Sequence, residues 1–257
     1  MRPIEVNKSS DPRRAELPFP ILVAHQPEFL PWLGNISKAT IGDVYFILDT
    51  VQYCKELFQN RNKIRIKGGD GWHWLSIPIK GSRKKLMNWQ EVMIDNSQPW
   101  KRKHLNSIKM SYSRAPFFKE IYNEIESIYN KFTGDKLIDF LMEFIRYAHT
   151  KFGVNIPVYR TSDLVKRGYD ISGSKSDLVI SMCKAVNAKT FIFGAQGREY
   201  MNKEKFHEIE YRFQNFEHPE YTQMHGNFVS HMSFIDLLFN HGDAAINILN
   251  KSECNEQ

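Results

Sequence analysis

The chain has 257 residues, of which 42% are hydrophobic and 25% are charged. This composition excludes a disordered or fibrous protein, and the length predicts one large domain rather than two small ones. The formal net charge of +6 favours anionic partners such as nucleic acid, anionic lipid headgroups or phosphorylated metabolites.

The cysteines and the apolar segments bear on the cellular compartment. Cys54, Cys183 and Cys254 lie far apart and form no CxxC pair, which argues against a disulfide framework and a zinc site. No signal-type apolar run begins the chain, and no stretch approaches the length of a membrane span. We therefore expect a cytoplasmic protein without a membrane span. Its expected parts are a flexible extension (residues 1–20), a single α/β domain (21–245) and a tail (246–257).

The first half of the chain predicts a βαβ unit followed by a hairpin. Ile21 to Ala24 is an apolar run between prolines, which is typical of a buried strand. A helix follows from Pro31, and a second strand covers Asp43 to Asp49. Alternation over Asn62 to Lys67 and over Trp72 to Lys80, with GGDG between them, predicts a β-hairpin.

The second half begins with helices and returns to alternating strands and helices. Apolar residues at helical spacing predict a helical portion over about residues 97–152, with helices at Trp100 to Tyr112, Pro116 to Phe132 and Lys136 to Phe152. The further elements expected are a strand at Pro157 to Thr161, a helix from a capping box at Ser174 to Val186, a strand at Phe191 to Phe193, a weak strand at Phe213 to Phe216 and a helix at Ser233 to Phe239. The predicted fold class is α/β: a mostly parallel, Rossmann-like three-layer sheet with an inserted β-hairpin and a helical segment.

Polar side chains gather from the end of the first strand onward. His25 and Gln26 end that strand, and the chain then turns through prolines into a helix whose free N–H groups favour an anion. A rigid turn, in which these two side chains only satisfy backbone groups, is the alternative interpretation. The substrate-binding candidates of this segment are Gln26, Trp32, Lys38, Gln52 and Tyr53.

A basic run and a glycine turn supply the remaining ligand contacts. Residues 60–63 combine a fork donor, a point charge and two amides, a mixture suited to a pyrophosphate and sugar hydroxyls. Residues 194–198 follow a strand's carboxyl end, where open α/β sheets hold their ligands. The candidates are Asn60, Arg61, Asn62, Lys63, Gly194, Gln196 and Arg198.

The catalytic candidates are His25, His231 and Asp236. A histidine has a pKa near the working pH without tuning, which suits a general base. His231 followed by Asp236 predicts a second, oriented base, and a helix cap is the alternative there. The spacing of the histidines matches no metal site, so no metal is expected.

Three segments resemble the opening signature of the WbqC-like protein family: HQPEFLPWLGNISK, DVYFILDTVQYCK and NRNKIR. The resemblance continues through WHWLSIPIK, IFGAQGREYM and MSFIDLLFNHG and covers about residues 21–242. The family is associated with bacterial surface-polysaccharide gene clusters, which implies a role in making or modifying an O-antigen-type sugar of lipopolysaccharide. It also implies that the polar residues from His25 to Lys63 form the working region. The chain has Asn35 where the family usually has an aromatic residue. Because of this difference, the resemblance does not predict which substrate the chain prefers.

Together, these residues and this resemblance predict an enzyme that acts on a nucleotide-linked amino sugar. The predicted reaction is transfer of an acyl or aminoacyl group to the sugar amine. The roles expected are diphosphate binding by Arg61, Lys63 and Arg198, ring stacking by Trp32 or Tyr53, and deprotonation of the amine by His25. The expected partners are a sugar nucleotide or another phosphorylated small molecule, together with an acyl or aminoacyl donor of unknown identity. A homodimer is also allowed.

Two other classes of function stay open. A nucleotidyl- or adenylate-forming enzyme that uses ATP or CTP also fits a strand, a turn and a helix next to a basic run and a glycine turn. A non-enzymatic nucleic-acid-binding module fits the net charge and the basic run Lys80 to Lys85, although nucleic acid is the less favoured partner.

Overall fold

Apolar runs that alternate with amphipathic stretches fold into strands and helices in turn. The structure is a computed structural model that describes residues 3–14, 16–54, 58–81 and 87–251; Cys254 and most of the run Lys80 to Lys85 lie outside these ranges. The strands are β1 (Ile21–His25), β2 (Val44–Ile47), β3 (Gln52–Tyr53), β4 (Arg61–Arg65), β5 (Trp72–Ser76), β6 (Met87–Asn88), β7 (Val158–Arg160), β8 (Thr190–Phe193) and β9 (Glu210–Phe213). The helices are α1 (Leu33–Ile41), α2 (Trp100–Tyr112), α3 (Phe118–Lys131), α4 (Leu137–Lys151), α5 (Thr161–Lys166), α6 (Ser176–Val186), α7 (Gly197–Tyr200), α8 (Phe234–His241) and α9 (Ala245–Lys251).

Five of the strands form one sheet in the order β7, β2, β1, β8, β9, and every neighbouring pair is parallel. The prediction of a mostly parallel, Rossmann-like sheet is therefore confirmed. The chain leaves the central strand β1 towards β2 and β7 on one side, and later adds β8 and β9 on the other side. Ligands of such sheets bind beyond the carboxyl ends of the strands where the order reverses, which here are β1 and β8.

Both faces of this sheet are buried, as its continuous apolar strands require. Alternate residues of β1 and β2 pack with α1 to α4, α8 and α9 on one face, and the residues between them pack with α5 and α6 on the other. The first set is Ile21, Val23, Tyr45 and Ile47, and the second set is Leu22, Ala24, Val44 and Phe46. The predicted three layers are therefore present.

The inserted hairpin and the helical segment also match the prediction. Strands β4 and β5 pair antiparallel, with Arg61 opposite Ser76 and Arg65 opposite Trp72. Helices α2, α3 and α4 occupy most of the predicted helical portion. Within the described ranges, none of the helices combines the length and the apolar character that crossing a bilayer requires.

Several predicted boundaries are wrong; for example, α3 begins at Phe118 rather than at Pro116. The weak strand expected at Phe213 to Phe216 is β9, which ends at Phe213 and pairs with β8 from Glu210 onward. Because β9 is an outer strand whose four residues are all partly exposed, it carries little alternation in the sequence. The helices expected from Pro31 and from the capping box at Ser174 begin two residues later, at the starts of α1 and α6.

A buried ion pair connects the residues before β1 to the start of β2. The guanidinium of Arg14 binds both carboxylate oxygens of Asp43, with Nη2 at 2.8 Å from Oδ2. The two side chains are 5% and 0% exposed. Asp43 also accepts the N–H of Ile21 at 2.7 Å, so its carboxylate joins the predicted extension to the central strand. The predicted division into extension, domain and tail stays a prediction.

Replacing Arg14 with alanine is expected to lower the free energy of unfolding by roughly 3 kcal/mol, because it leaves the Asp43 charge buried without its cation. Urea unfolding monitored by circular dichroism measures this change. Arg146→Ala is the control, since it breaks an ion pair whose side chains are 62% and 48% exposed and should cost under about 1 kcal/mol. Similar losses in the two variants would contradict the importance of the buried pair.

Candidate functional site

The central strand ends in a partly exposed histidine. The Nδ1 of His25 lies 2.8 Å from the carbonyl oxygen of Gln26. Because a carbonyl oxygen only accepts, the neutral ring carries its hydrogen on Nδ1 and leaves a lone pair on Nε2. Among the described residues no group hydrogen-bonds to Nε2, and 33% of the side chain is exposed. Nε2 is therefore the atom through which the ring could take a proton from a ligand.

Glu28, which was not among the predicted residues, is a buried carboxylate beside His25. Its Oε2 lies 3.9 Å from Nδ1 of the ring. Its Oε1 accepts hydrogen bonds from Nδ2 of Asn35 at 2.8 Å and from the N–H of Trp32 at 3.2 Å. Burial raises the pKa of Glu28 to about 7, although these hydrogen bonds and the charge of Lys38 oppose the increase. The glutamate in HQPE, directly after the strand, was the signal in the sequence.

Lys38 lies under the end of β1 and is 2% exposed. Its Nζ donates to the carbonyl oxygen of Ala24 at 2.8 Å, which ties α1 to β1. Burial lowers the pKa of Lys38 to about 8, and the carboxylate of Glu28 offsets part of this decrease. At this depth the ammonium acts on a ligand through its neighbours rather than by direct contact.

The electrostatics of His25 differ from those of a free imidazole. Burial and the charge of Lys38 lower the pKa of His25 to about 3. The expectation of a histidine whose pKa needs no tuning is therefore wrong. Because a third of the side chain stays exposed, water offsets part of the burial. The ring is neutral at physiological pH, and a proton that it gains is stabilised by the ionised form of Glu28.

The turn after β8 lies beside the end of β1. The two strands pair as far as Val23 opposite Ile192, and continuing this register by two residues places His25 beside Gly194. Apart from Gly194 and its two chain neighbours, no atom of the described residues lies within 4 Å of the place that a Cβ on Gly194 would occupy. Gln196 follows on the exposed part of the turn. The predicted glycine turn and the predicted histidine therefore meet at one edge of the sheet.

Arg198 belongs to a different surface. Its guanidinium carbon lies 4.7 Å from the centre of the Phe213 ring. Together with Lys189 and Arg212 it lines an open groove of about 1030 Å³ along β9. Joint binding of one diphosphate by Arg61, Lys63 and Arg198 stays a prediction.

Two glutamine side chains connect the end of β1 to the hairpin. Nε2 of Gln59 donates to Oε1 of Gln26, and Oε1 of Gln59 accepts the N–H of Cys54 at 2.8 Å. Gln59 is 4% exposed. In the same region the N–H of Phe29 donates to the carbonyl oxygen of Phe58 at 3.2 Å. These bonds hold the start of β4 beside the histidine.

One face of the hairpin carries cations stacked on indole rings. The guanidinium of Arg61 lies 4.5 Å from the ring of Trp74, and Nζ of Lys63 lies 4.2 Å from the ring of Trp72. The two indoles meet edge to face at 5.4 Å, and Phe58, which is 41% exposed, lies 5.6 Å from Trp74. We call these five side chains the hairpin platform. Both tryptophans were missed as site residues, although their two-residue spacing placed them on one face of a strand.

The two asparagines of the basic run brace the chain. Nδ2 of Asn62 donates to the carbonyl oxygens of Phe29, at 3.2 Å, and Leu30, at 2.6 Å, and the side chain is 0% exposed. Nδ2 of Asn60 donates to the carbonyl oxygen of Ile77 at 2.9 Å. Both amides are therefore engaged with the backbone, whereas Arg61 and Lys63 are partly exposed.

Tyr53 and Gln52 form the short strand β3 and lie in different environments. Tyr53 is 3% exposed and packs edge to face on Trp89 at 5.1 Å. Burial raises its pKa to about 12, and its hydroxyl has no hydrogen-bond partner among the described residues. Gln52 is exposed and pairs with Asn88. Stacking of a ligand on Tyr53 would require the buried ring to move.

The structure does not bring His231 and Asp236 together. The buried carboxylate of Asp236 accepts from the hydroxyls of Tyr112 and Tyr221 at 2.8 and 2.9 Å, and from Nε2 of Gln223 at 2.9 Å. Burial raises its pKa to about 6 despite these donors. Nδ1 of His231 is instead 2.8 Å from Oγ of Ser230, on the surface. Asp236 therefore does not orient this histidine.

Trp32 links the turn after β1 to the loop that carries His231. Its indole covers Gly34, where a Cβ would stand 2.3 Å from the ring. The indole also lies edge-on to Phe216 at 5.3 Å and stacks on His231 at 6.3 Å. His231 is thus near the first polar segment through this ring, and its catalytic role stays a prediction.

The sequence pattern of the WbqC-like protein family matches residues 26–248, which is most of the chain. The chain belongs to the WbqC-like protein family. It is also 26% identical over 223 residues to the "Uncharacterized protein Rv1507c" of Mycobacterium tuberculosis, an alignment that covers 86% of this chain and 93% of that protein. No solved structure matches the chain.

The region shared with the WbqC-like family holds nearly every candidate residue of this protein. It begins at Gln26, directly after His25, and includes Glu28, the hairpin platform and the turn after β8. Within the described ranges of this WbqC-like chain, no three His, Cys, Asp or Glu side chains are placed to hold a metal ion.

The Glu28→Gln variant of the WbqC-like protein is expected to gain stability relative to the wild type as pH rises. Folding raises the pKa of Glu28 from 4.5 to about 7, so ionisation of the buried carboxyl destabilises the wild type across that interval. The difference between the two free energies of unfolding should grow by up to about 3 kcal/mol. Urea unfolding between about pH 4.5 and 8 measures it. Glu143→Gln, at an exposed ion pair, should show a much smaller change, and equal changes would contradict the assignment.

Proposed function

We propose that this WbqC-like protein is an enzyme of bacterial surface-polysaccharide synthesis that acts on a nucleotide-linked amino sugar. It transfers an acyl or aminoacyl group to the sugar amine. The observation that carries this proposal is a histidine base beside an open glycine turn at the carboxyl ends of β1 and β8, where parallel sheets hold nucleotides. The hydrogen bond from Gln59 to Gln26 joins the start of the hairpin to the same end of β1.

The base is His25, supported by Glu28. The lone pair on Nε2 takes a proton from the sugar ammonium or amine, and the carboxylate 3.9 Å from Nδ1 stabilises the resulting imidazolium. Because the pKa of His25 is lowered to about 3, this step depends on Glu28 being ionised, which occurs above its pKa of about 7. Burial is the main cause of both pKa shifts; the charge of Lys38 adds to the decrease for His25 and opposes the increase for Glu28.

The hairpin platform suits the nucleotide part of the substrate. Arg61 and Lys63 provide the fork donor and the point charge that bind a diphosphate. The indoles of Trp72 and Trp74 offer the flat rings on which a base or a sugar ring stacks. They take the stacking role that the sequence predicted for Trp32 or Tyr53; the ring of Tyr53 is only 3% exposed.

The transfer forms one bond and breaks one bond. The sugar amine attacks the acyl carbon of an activated ester or thioester donor, and the new C–N bond replaces the bond between that carbon and the donor's leaving group. The amine proton passes to Nε2 of His25 and then to the leaving group. The atoms and electrons of this transfer balance between the sugar amine, the acyl donor and His25.

The His25→Ala variant is expected to lose at least a hundredfold in kcat/KM, since a general base contributes about that much. The assay combines a panel of nucleoside diphosphate amino sugars with ester and thioester acyl donors, followed by mass spectrometry of the sugar. In the wild type kcat/KM should rise as pH passes about 7, and Glu28→Gln should lack that rise.

Activity that survives in His25→Ala would contradict the role of His25 as the general base. An absence of product with every donor would contradict the proposed acyl transfer. Release of pyrophosphate from ATP or CTP in the same mixtures would instead support an adenylate-forming or nucleotidyl-transferring enzyme, which the order of the parallel sheet also suits. Thermal unfolding of each variant verifies that the fold is retained.

The Trp74→Ala variant is expected to bind a nucleoside diphosphate sugar about tenfold more weakly than the wild type, because loss of a stacked ring costs about 1–3 kcal/mol. Isothermal titration calorimetry measures the affinity. Trp74→Phe keeps an aromatic face and serves as the matched control, with a loss of under about threefold. Equal affinities for the wild type, Trp74→Ala and Trp74→Phe would show that the hairpin platform does not bind the nucleotide sugar.

A further inference from the structure

Basic charge is concentrated in one segment whose cations take no part in the sites described above. Residues 96–119 contain six Lys and Arg side chains and no Asp or Glu, although the whole chain has a net charge of only +6. Four of the six lie on helix α2, and two follow it before α3 is complete. The cations are Lys101, Arg102, Lys103, Lys109, Arg114 and Lys119.

Helix α2 separates these charges from its buried side. Its inner face packs into the core through residues spaced three and four apart, which are Trp100, His104, Ile108, Ser111 and Tyr112. With 100° between successive residues, the exposed residues occupy one arc of about 120°. They are Arg102, Lys103, Asn106, Lys109, Met110 and Ser113. The outer face of α2 is therefore a single cationic stripe.

The exposed cations of this stripe differ from those surface cations that lie in ion pairs. Examples of the paired cations are Lys151 with Glu120 and Lys205 with Asp177. Within the described ranges, no carboxylate forms an ion pair with Arg102, Lys103 or Lys109. Lys101 differs, because its Nζ donates to the carbonyl oxygen of Phe132.

An apolar side chain projects from the middle of the stripe. Met110 is 83% exposed, more than any other exposed large hydrophobic residue among those described. Lys109 directly precedes it and Arg114 follows four residues later, so cations lie on both sides of it along the chain. Phe117, at 38% exposure, follows in the next turn of chain. In a lipid bilayer, the flexible apolar side chain of Met110 would suit the acyl chains, and the cations around it would suit the charged headgroups.

We propose that the outer face of α2 docks this protein on an anionic membrane surface. Lys and Arg side chains bind the lipid headgroups, and Met110 enters the acyl boundary. Helix α2 also supports the hairpin: Nε2 of His104 lies 3.0 Å from the carbonyl oxygen of Ser76, and the N–H of Arg65 donates to the hydroxyl of Tyr112 at 2.9 Å. Docking therefore holds the hairpin platform at a fixed distance from the bilayer.

A membrane fits this face better than nucleic acid does. None of the exposed side chains of the stripe is an aromatic ring on which a base could stack. The apolar Met110 at its centre has no role in binding phosphates of a nucleic acid, whereas it adds affinity for a bilayer.

Co-sedimentation of the full chain with lipid vesicles tests the proposal. Vesicles of phosphatidylcholine with roughly one third phosphatidylglycerol should bind the protein, and pure phosphatidylcholine should bind it at least tenfold more weakly. Binding should fall at least tenfold between about 0.05 and 0.5 M NaCl. The Arg102→Glu/Lys109→Glu variant should bind the anionic vesicles at least tenfold more weakly than the wild type.

The matched control is Lys166→Glu/Lys184→Glu, which makes the same change in net charge on α5 and α6, across the sheet from α2. It should keep wild-type binding. Met110→Ser should weaken vesicle binding by roughly fivefold and leave the affinity for a single-stranded oligonucleotide unchanged. Equal losses in the two double variants, or tighter binding to the oligonucleotide than to anionic vesicles, would overturn the proposal.

Discussion

The burial of Glu28 at the carboxyl end of β1 is the constraint on which the site depends. A carboxylate at this depth is costly unless donors and a cation surround it. Helix α1 provides both, since Asn35 and Lys38 are three residues apart and so lie on one side of the helix. Asn35 passes the network on by accepting the hydroxyl of Tyr45 at 2.6 Å. Polar groups therefore add to the apolar packing that holds the first βαβ unit together.

This arrangement brings the pH ranges in which Glu28 and Lys38 titrate close together. The pKa of Glu28 rises to about 7 and that of Lys38 falls to about 8, so an acid and a base that ordinarily titrate far apart become neighbours. His25 is driven the other way and stays neutral. A proton that arrives at the end of β1 can thus be shared within the cluster near neutral pH, which is the condition that acid–base chemistry requires.

Much of the fold could be predicted, because apolar runs bounded by proline and glycine mark the strands and helical spacing marks α2 to α4. The end of β1 was found for the same reason, and with it His25 and Gln26. Directions of side chains were harder. Asn62 and Tyr53 have polar groups that suggest a ligand, but tertiary packing buries them. His231 and Asp236 are close in sequence, yet the start of α8 turns their side chains to different sides. Glu28 was missed because a single letter in a polar run does not report burial.

The outer strand β9 has a bearing on how molecules of this protein meet one another. Its outward groups include an ion pair between Glu210 and Arg212, and the groove beside it is lined by further cations. A strand from another molecule could extend the sheet here only by displacing water from both charges. The charged edge therefore disfavours aggregation through pairing of β9 with strands of other molecules. Replacing Glu210 and Arg212 with apolar residues would allow this pairing at high protein concentration.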